Sequence, residues 1–105
     1  MRYTIDTKAS RFLGVYLREL RIRREISLRR LAIQNEIDPA ELSRWELGQR
    51  GIGLERILYL ARAYQTDPEK ILTAYRCAKF LACFLDYGTD QWRIGIRRAI
   101  EKGEL

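Results

Sequence analysis

With 105 residues the chain has the length of one domain, and its 47% apolar content excludes an intrinsically disordered tail. The 20 Lys and Arg residues outnumber the 14 Asp and Glu residues, and the resulting formal charge of +6 favours nucleic acid, or less strongly an acidic membrane surface, as partner. Because the sequence has no histidine, metal sites and Ser/Cys–His nucleophiles lack their usual groups, and we expect no enzyme, metal or cofactor.

The N-terminus and the cysteines indicate the compartment. The first residues, MRYTIDTKASR, lack the apolar core of a signal peptide, and no stretch approaches the roughly 18 apolar residues of a membrane span. Cys77 and Cys83 lie six positions apart in an apolar segment, which is typical of neither zinc sites nor redox motifs. We therefore expect buried free thiols in a cytoplasmic protein that contacts no membrane.

Apolar residues recur every three or four positions along nearly the whole chain, which predicts an all-α protein. Ser10 is the expected cap of a first helix that runs to about Glu25, and Ser27 caps a short second helix that ends near Asn35. The residues spaced for burial are Leu13, Leu17 and Leu20 in the first helix and Leu28, Leu31 and Ala32 in the second.

The third helix has strong signals at both ends, since Asp38 can cap it, Pro39 suits the first helical position and Gly48 stops it. A loop, GQRGIG, separates it from a fourth helix predicted from about Leu54 to Tyr64. Together these elements predict four helices within the first two thirds of the chain.

Two further helices are predicted in the last third. A fifth begins at Asp67-Pro68 and continues to about Asp86, with Gly88 as its end. Thr89 can cap a last helix, although WRIGI also alternates as a strand does, which leaves a strand as the alternative. The residues at helical spacing in this segment are Trp92, Ile96, Ala99 and Ile100.

The second and third helices are too short and too close to lie antiparallel, so they should cross steeply, as a helix-turn-helix does. Ala32 would leave room for this crossing. On the outer face of the third helix, small residues would let the backbone approach a DNA groove, where Arg44 could reach a guanine edge. The inward residues of the pair would be Leu31, Ala32, Ile37, Leu42 and Trp45.

Residues 27–72 resemble the lambda-repressor-like (Cro/XRE-type) helix-turn-helix family. The similarity runs through LRRLA, the spacing to Leu42 and Trp45, the segment WELGQR and the helix LERILYLARAY. The resemblance implies a five-helix DNA-binding domain over residues 10–72 and a C-terminal helical extension over residues 73–105. It also implies that the helix at 38–47 reads the major groove.

The resemblance assigns roles to individual residues. It places Arg21 and Glu46 in a structural ion pair that ties the first helix to the third. The residues expected to face bases are Pro39, Ala40, Ser43 and Arg44, and those expected to face phosphates are Ser27, Arg29, Gln49 and Arg50.

Two positions depart from the family pattern. Leu28 stands where the family usually has a glutamine that touches the DNA backbone, so that contact is lost or supplied by Arg29. Glu36 stands where the turn usually has glycine, and a positive φ costs a non-glycine residue about 1 kcal/mol or somewhat more. Either the turn differs in this chain or it tolerates the strain.

Several charged and aromatic residues have two interpretations. Arg29 and Arg30 oppose the dipole of the second helix, which suits a phosphate contact but also fits a solvated surface pair. Trp45 is expected in the core rather than stacked on a base. Glu41 could accept from cytosine N4, although a solvated helix charge is the expected role. Apart from the resemblance, the residues themselves give the arginines near the end of the first helix only the role of a diffuse positive field: Arg21, Arg23 and Arg24.

The C-terminal third has more apolar surface than a completed small domain needs. It could enlarge the monomer core, form a two-fold dimer interface or receive another protein, and we expect the dimer, with reading helices about 34 Å apart on a palindromic site. The expected interface residues are Tyr75, Leu81, Phe84, Leu85 and Trp92.

The predicted function is that of a sequence-specific transcriptional regulator of double-stranded DNA, and we expect a repressor in a bacterial or phage nucleoid. The alternative is an antitoxin-like protein whose C-terminal apolar surface binds a partner protein while the same DNA-binding domain regulates its own synthesis.

Overall fold

The computed structural model describes the backbone of residues 7–81 and 91–105 and the side chains of residues 9–78 and 92–105. Every regular element in these ranges is helical, which confirms the all-α prediction. The elements are α1 (Thr7–Arg23), α2 (Leu28–Gln34), α3 (Pro39–Leu47), a 3₁₀ turn (Leu54–Arg56), α4 (Ile57–Ala63), α5 (Pro68–Leu81) and α6 (Gln91–Glu101).

The predicted caps of the second and third helices are confirmed. Ser27 Oγ accepts from the Arg30 amide at 3.1 Å, and Asp38 Oδ1 accepts from the Ala40 amide at 3.3 Å. Gly48 ends α3 in the left-handed conformation with φ 73°. These caps satisfy backbone groups that have no partner inside the helix.

The prediction for α1 was wrong at its start, since the helix begins at Thr7 and Ser10 lies within it. Its end is set by Glu25, which adopts a left-handed conformation with φ 54° while its amide donates to the Ile22 carbonyl at 2.9 Å. A residue in this conformation cannot continue a right-handed helix.

The turn between α2 and α3 is left-handed at Glu36, where the resemblance leads us to expect a glycine. Glu36 has φ 56°, and the next amide, that of Ile37, donates to the Ala32 carbonyl at 2.9 Å. The chain therefore tolerates the strain at Glu36, because this hydrogen bond and the burial of Ile37 hold the turn closed.

The later helices refine the sequence prediction. The predicted fourth helix opens as a 3₁₀ turn and becomes α-helical only at Ile57. The segment WRIGI is helical within α6, which removes the strand alternative. The predicted continuation of α5 to Asp86, its end at Gly88 and the cap at Thr89 lie outside the described residues.

The core is organised around α1, which packs against α3, α5 and α6. Helix α1 lies close against α3 at Gly14, where an added Cβ would lie 2.5 Å from the Glu46 carbonyl oxygen and 2.6 Å from that of Trp45. The largest fully buried side chains come from five helices: Tyr16, Leu17, Leu31, Leu42, Leu60, Tyr64 and Ile71.

Helix α6 packs against the same core. The Tyr16 hydroxyl donates to the Leu105 carbonyl at 3.0 Å, and Arg97 Nε lies 3.3 Å from Glu19 Oε1. Trp92 is only 7% exposed, and Ile96, about one helical turn later, is buried as well. The expected interface residue Trp92 therefore packs within its own chain.

The two cysteines were expected to be buried free thiols. Cys77 is a free thiol, but it is half-buried rather than buried, because it lies at the edge of the core. Cys83 lies outside the described residues.

Within the described ranges, no helix is both long and apolar enough to cross a membrane.

Candidate nucleic-acid interface

The α2–α3 pair is held by an apolar seam that leaves the outer face of α3 free. Ala32 is fully buried at the crossing, where its small side chain leaves room for the two helices to approach. Trp45 is 2% exposed, so it is a core residue and not a stacking platform for a base, and the Arg56 guanidinium lies 5.3 Å from its ring centroid. The buried seam consists of Leu31, Ala32, Ile37, Leu42 and Trp45.

A polar network fixes α3 to α1 behind the outer face. Arg21 Nε donates to Glu46 Oε2 at 2.9 Å and Arg21 Nη2 donates to Glu46 Oε1 at 2.9 Å. The remaining terminal nitrogen, Nη1, donates to the Ile26 carbonyl at 3.0 Å. Because the two side chains make this bidentate pair while only 13% and 3% exposed, the orientation of α3 on α1 is tightly specified.

Tyr64 is the third member of this network and was not found from the sequence. Its hydroxyl donates to Glu46 Oε2 at 2.8 Å from the end of α4. Burial and the nearby Glu46 carboxylate raise the pKa of Tyr64, and hydrogen bonding to Glu46 raises the pKa of Arg21. The tyrosine therefore stays a neutral donor and the arginine stays charged.

The outer face of α3 presents the residues expected to meet bases. Ala40 and Arg44 are exposed, and Pro39 and Ser43 are half-buried. The small side chains lie in the first two turns, so a groove wall could approach the helix backbone there. Leu47 is 58% exposed at the end of the same helix.

The residues expected to meet phosphates are all exposed, and they lie at the start of α2 and in the loop after α3: Ser27, Arg29, Gln49 and Arg50. Arg30 is exposed beside them, whereas Leu28 packs partly against the core. The apolar side chain of Leu28 therefore cannot make the polar contact that the resemblance would place at that position.

Two of the three arginines near the end of the first helix make structural contacts, and for Arg21 this is the ion pair that the resemblance implied. Arg21 belongs to the Glu46 network, and Arg24 Nη1 donates to the Ala63 carbonyl at 3.1 Å, at the end of α4. A cation at a helix C-terminus stabilises carbonyls that lack intrahelical partners. Of the three, Arg23 alone is exposed.

Glu41 links the two groups of expected DNA contacts. Its Oε1 lies 3.4 Å from Arg44 Nη1 and its Oε2 lies 3.2 Å from Arg50 Nη1. The spacing of Glu41 and Arg44 on one helix could have indicated the first contact, but the contact with the loop required the tertiary structure.

A protein-family model described as a helix-turn-helix domain matches residues 13–73, more than half of the chain. The chain belongs to this helix-turn-helix family. No curated protein and no solved structure gives a match. A helix-turn-helix domain indicates a DNA-binding regulator, and the matched range contains both α2 and α3.

The family match leaves out α6 and most of α5. Among the residues expected at an interface between copies, Tyr75 is half-buried and Trp92 is buried within its chain. The side chains of Leu81, Phe84 and Leu85 lie outside those that the structure describes. In the described part of the chain, no cluster of His, Cys, Asp and Glu could hold a metal.

Proposed function

We propose that this helix-turn-helix protein is a sequence-specific regulator of transcription that represses by covering promoter DNA. The observation that carries the proposal is the outer face of α3, where exposed Ala40 and Arg44 lie on a helix whose inner face is held by Glu46. A rigidly mounted helix with small residues and one long donor can enter a major groove and discriminate bases.

The phosphate contacts would flank the reading helix on both sides. Arg29 at the start of α2 and Arg50 after α3 are both exposed, and the capped first turn of α2 offers backbone amides beside Arg29. Such contacts release counterions, so affinity should fall steeply as salt rises.

We further propose that the protein binds an inverted repeat as a homodimer through its C-terminal third. Because Trp92 packs within its own chain, Tyr75 is the expected interface residue that keeps accessible surface among the described side chains. A two-fold dimer would match two half-sites one helical turn apart. The antitoxin-like alternative would use the same C-terminal third to bind another protein.

Selection of bound duplexes from a random DNA pool at physiological salt, followed by sequencing, tests these proposals. Enrichment of an inverted repeat with half-site centres about 10 base pairs apart supports a dimeric sequence reader. A single enriched half-site supports the reader and contradicts the dimer. Absence of enrichment contradicts sequence-specific regulation.

Two alanine variants then distinguish base contacts from phosphate contacts on the selected site. Arg44→Ala should reduce the free energy of DNA binding by about 1–3 kcal/mol and weaken the discrimination between bases at one position of the site. Arg50→Ala should weaken binding to all sequences alike and reduce the salt slope by about one. A uniform loss of affinity in Arg44→Ala would contradict the proposed placement of α3 in the groove.

A further inference from the structure

The reading surface holds a carboxylate at its centre. Glu41 lies in the first turn of α3, and each of its two oxygens faces a different arginine. Arg44 comes from the same helix, whereas Arg50 comes from the loop that follows it. The carboxylate therefore joins the residue proposed to read a base to one proposed to grip a phosphate.

The exposure of these side chains makes the contacts exchangeable. Glu41 is 23% exposed, while Arg44 and Arg50 are 46% and 53% exposed. Ion pairs at such exposure contribute little to stability and are screened by salt. A phosphate or a guanine edge can therefore replace the carboxylate as the partner of either arginine.

Stabilisation of the helix start explains only part of this arrangement. A carboxylate in the first turn interacts favourably with the dipole of α3 whether or not arginines surround it. Glu41 also recruits Arg50 from beyond the end of the helix, and that contact does not serve the dipole. In the described residues, by contrast, Arg29 and Arg30 form no ion pair, so the carboxylate restrains the arginines nearest to the reading helix.

We propose that Glu41 is a specificity-determining residue that suppresses binding to non-cognate DNA. Without DNA it holds Arg44 and Arg50, and on a non-cognate duplex these arginines turn to phosphates and leave an unpaired carboxylate beside a polyanion. On the cognate site the carboxylate accepts from a cytosine N4 amino group, the base-edge donor that suits Glu. This inference rests on the proposed DNA-reading function.

The cognate site is thereby specified further. Residues three apart on a helix are neighbours on its surface, so Glu41 and Arg44 face adjacent positions in the groove. A guanine that accepts from Arg44 and a cytosine that donates to Glu41 would lie in the same or neighbouring G·C pairs. A half-site without a G·C pair at this place should not be bound selectively.

The test compares Glu41→Gln with the matched variant Glu36→Gln. Both remove one negative charge, but Glu36 is exposed in the turn before α3 and forms no ion pair in the described structure. Dissociation constants are measured by fluorescence anisotropy on the selected operator and on a scrambled duplex, over a series of KCl concentrations. Thermal melting by circular dichroism establishes that both variants are folded.

For Glu41→Gln we expect tighter binding to the scrambled duplex, by about ten-fold more than for Glu36→Gln, and a salt slope steeper by about one. The ratio of operator to scrambled affinity should fall by at least about ten-fold. Adding Arg50→Ala should abolish the gain in slope, because the newly freed arginine supplies it.

Equal effects of the two glutamine variants would overturn the inference, since the charge alone would then matter. An unchanged operator-to-scrambled ratio in Glu41→Gln would overturn it as well, while leaving the DNA-reading function standing. If the unmodified protein does not discriminate the operator from the scrambled duplex, the proposed function fails and the inference fails with it.

Discussion

Gly14→Ala is expected to destabilise the protein although alanine is the better helix former. An alanine inside a helix gains about 1 kcal/mol over glycine. At this site, however, the new Cβ would lie 2.5 Å and 2.6 Å from two backbone carbonyl oxygens of α3, a distance that Cβ contacts do not reach. Backbone atoms cannot rotate away as a side chain does, so the steric cost of the added methyl group should lie at the upper end of the range for overpacked cores, about 3 kcal/mol. The net loss is then about 2 kcal/mol.

The assay is urea unfolding followed by circular dichroism, with Gly95→Ala as the matched control. Gly95 lies in the interior of α6, where an added Cβ would meet nothing within 4 Å. The control should therefore gain about 1 kcal/mol, and the free energies of unfolding of the two variants should differ by about 3 kcal/mol. Equal or higher stability of Gly14→Ala relative to the unmodified protein would refute the inferred contact between α1 and α3.

Two further predictions concern buried polar groups. Glu46→Ala should lower the free energy of unfolding by about 3 kcal/mol or more, because it leaves the Arg21 guanidinium and the Tyr64 hydroxyl without their shared carboxylate. Chemical denaturation measures this loss, and a value below about 1 kcal/mol would contradict the proposed role of the network. Burial raises the pKa of Tyr16 to about 12, so above pH 10 the unfolded chain releases this proton while the folded chain keeps it. Stability should therefore fall between pH 10 and pH 12, by roughly 2–3 kcal/mol from this group. Tyr16→Phe should flatten the fall in unfolding experiments across that range, and an identical pH profile would disprove the coupling.

The arginines of the first half of the chain are of two kinds. Arg21 and Arg24 bind acceptors of other helices and hold the domain together. Arg29 and Arg50 are exposed at the two ends of the helix-turn-helix and remain available to a polyanion, the latter through exchange with Glu41. Removing the first kind should reduce stability, whereas removing the second should reduce only DNA affinity.

The local features of the fold could be predicted from the sequence because their causes lie within a few residues. Ser27 and Asp38 satisfy amides two or three positions along the chain, and Gly48 provides a conformation that other residues adopt at a cost. Burial of Leu42 and Trp45 followed from helical spacing. The order of these signals also identified the helix-turn-helix family.

Other features depended on which helices meet in space. The contact of Tyr64 with Glu46 spans 18 positions and that of Arg24 with the Ala63 carbonyl spans 39, so no local pattern marks either one. Trp92 was assigned to an interface because it follows a small domain that was taken to be complete, yet this chain buries it.

The sequence by itself determined the all-α class, the caps of the second and third helices and the family. Only the tertiary structure distinguished two helical glycines, Gly14 and Gly95, that look alike in the sequence. One allows two backbones to touch and the other faces open space. The physical reason is range: capping and periodicity act over one or two turns, whereas steric contact between helices depends on how the whole chain is packed.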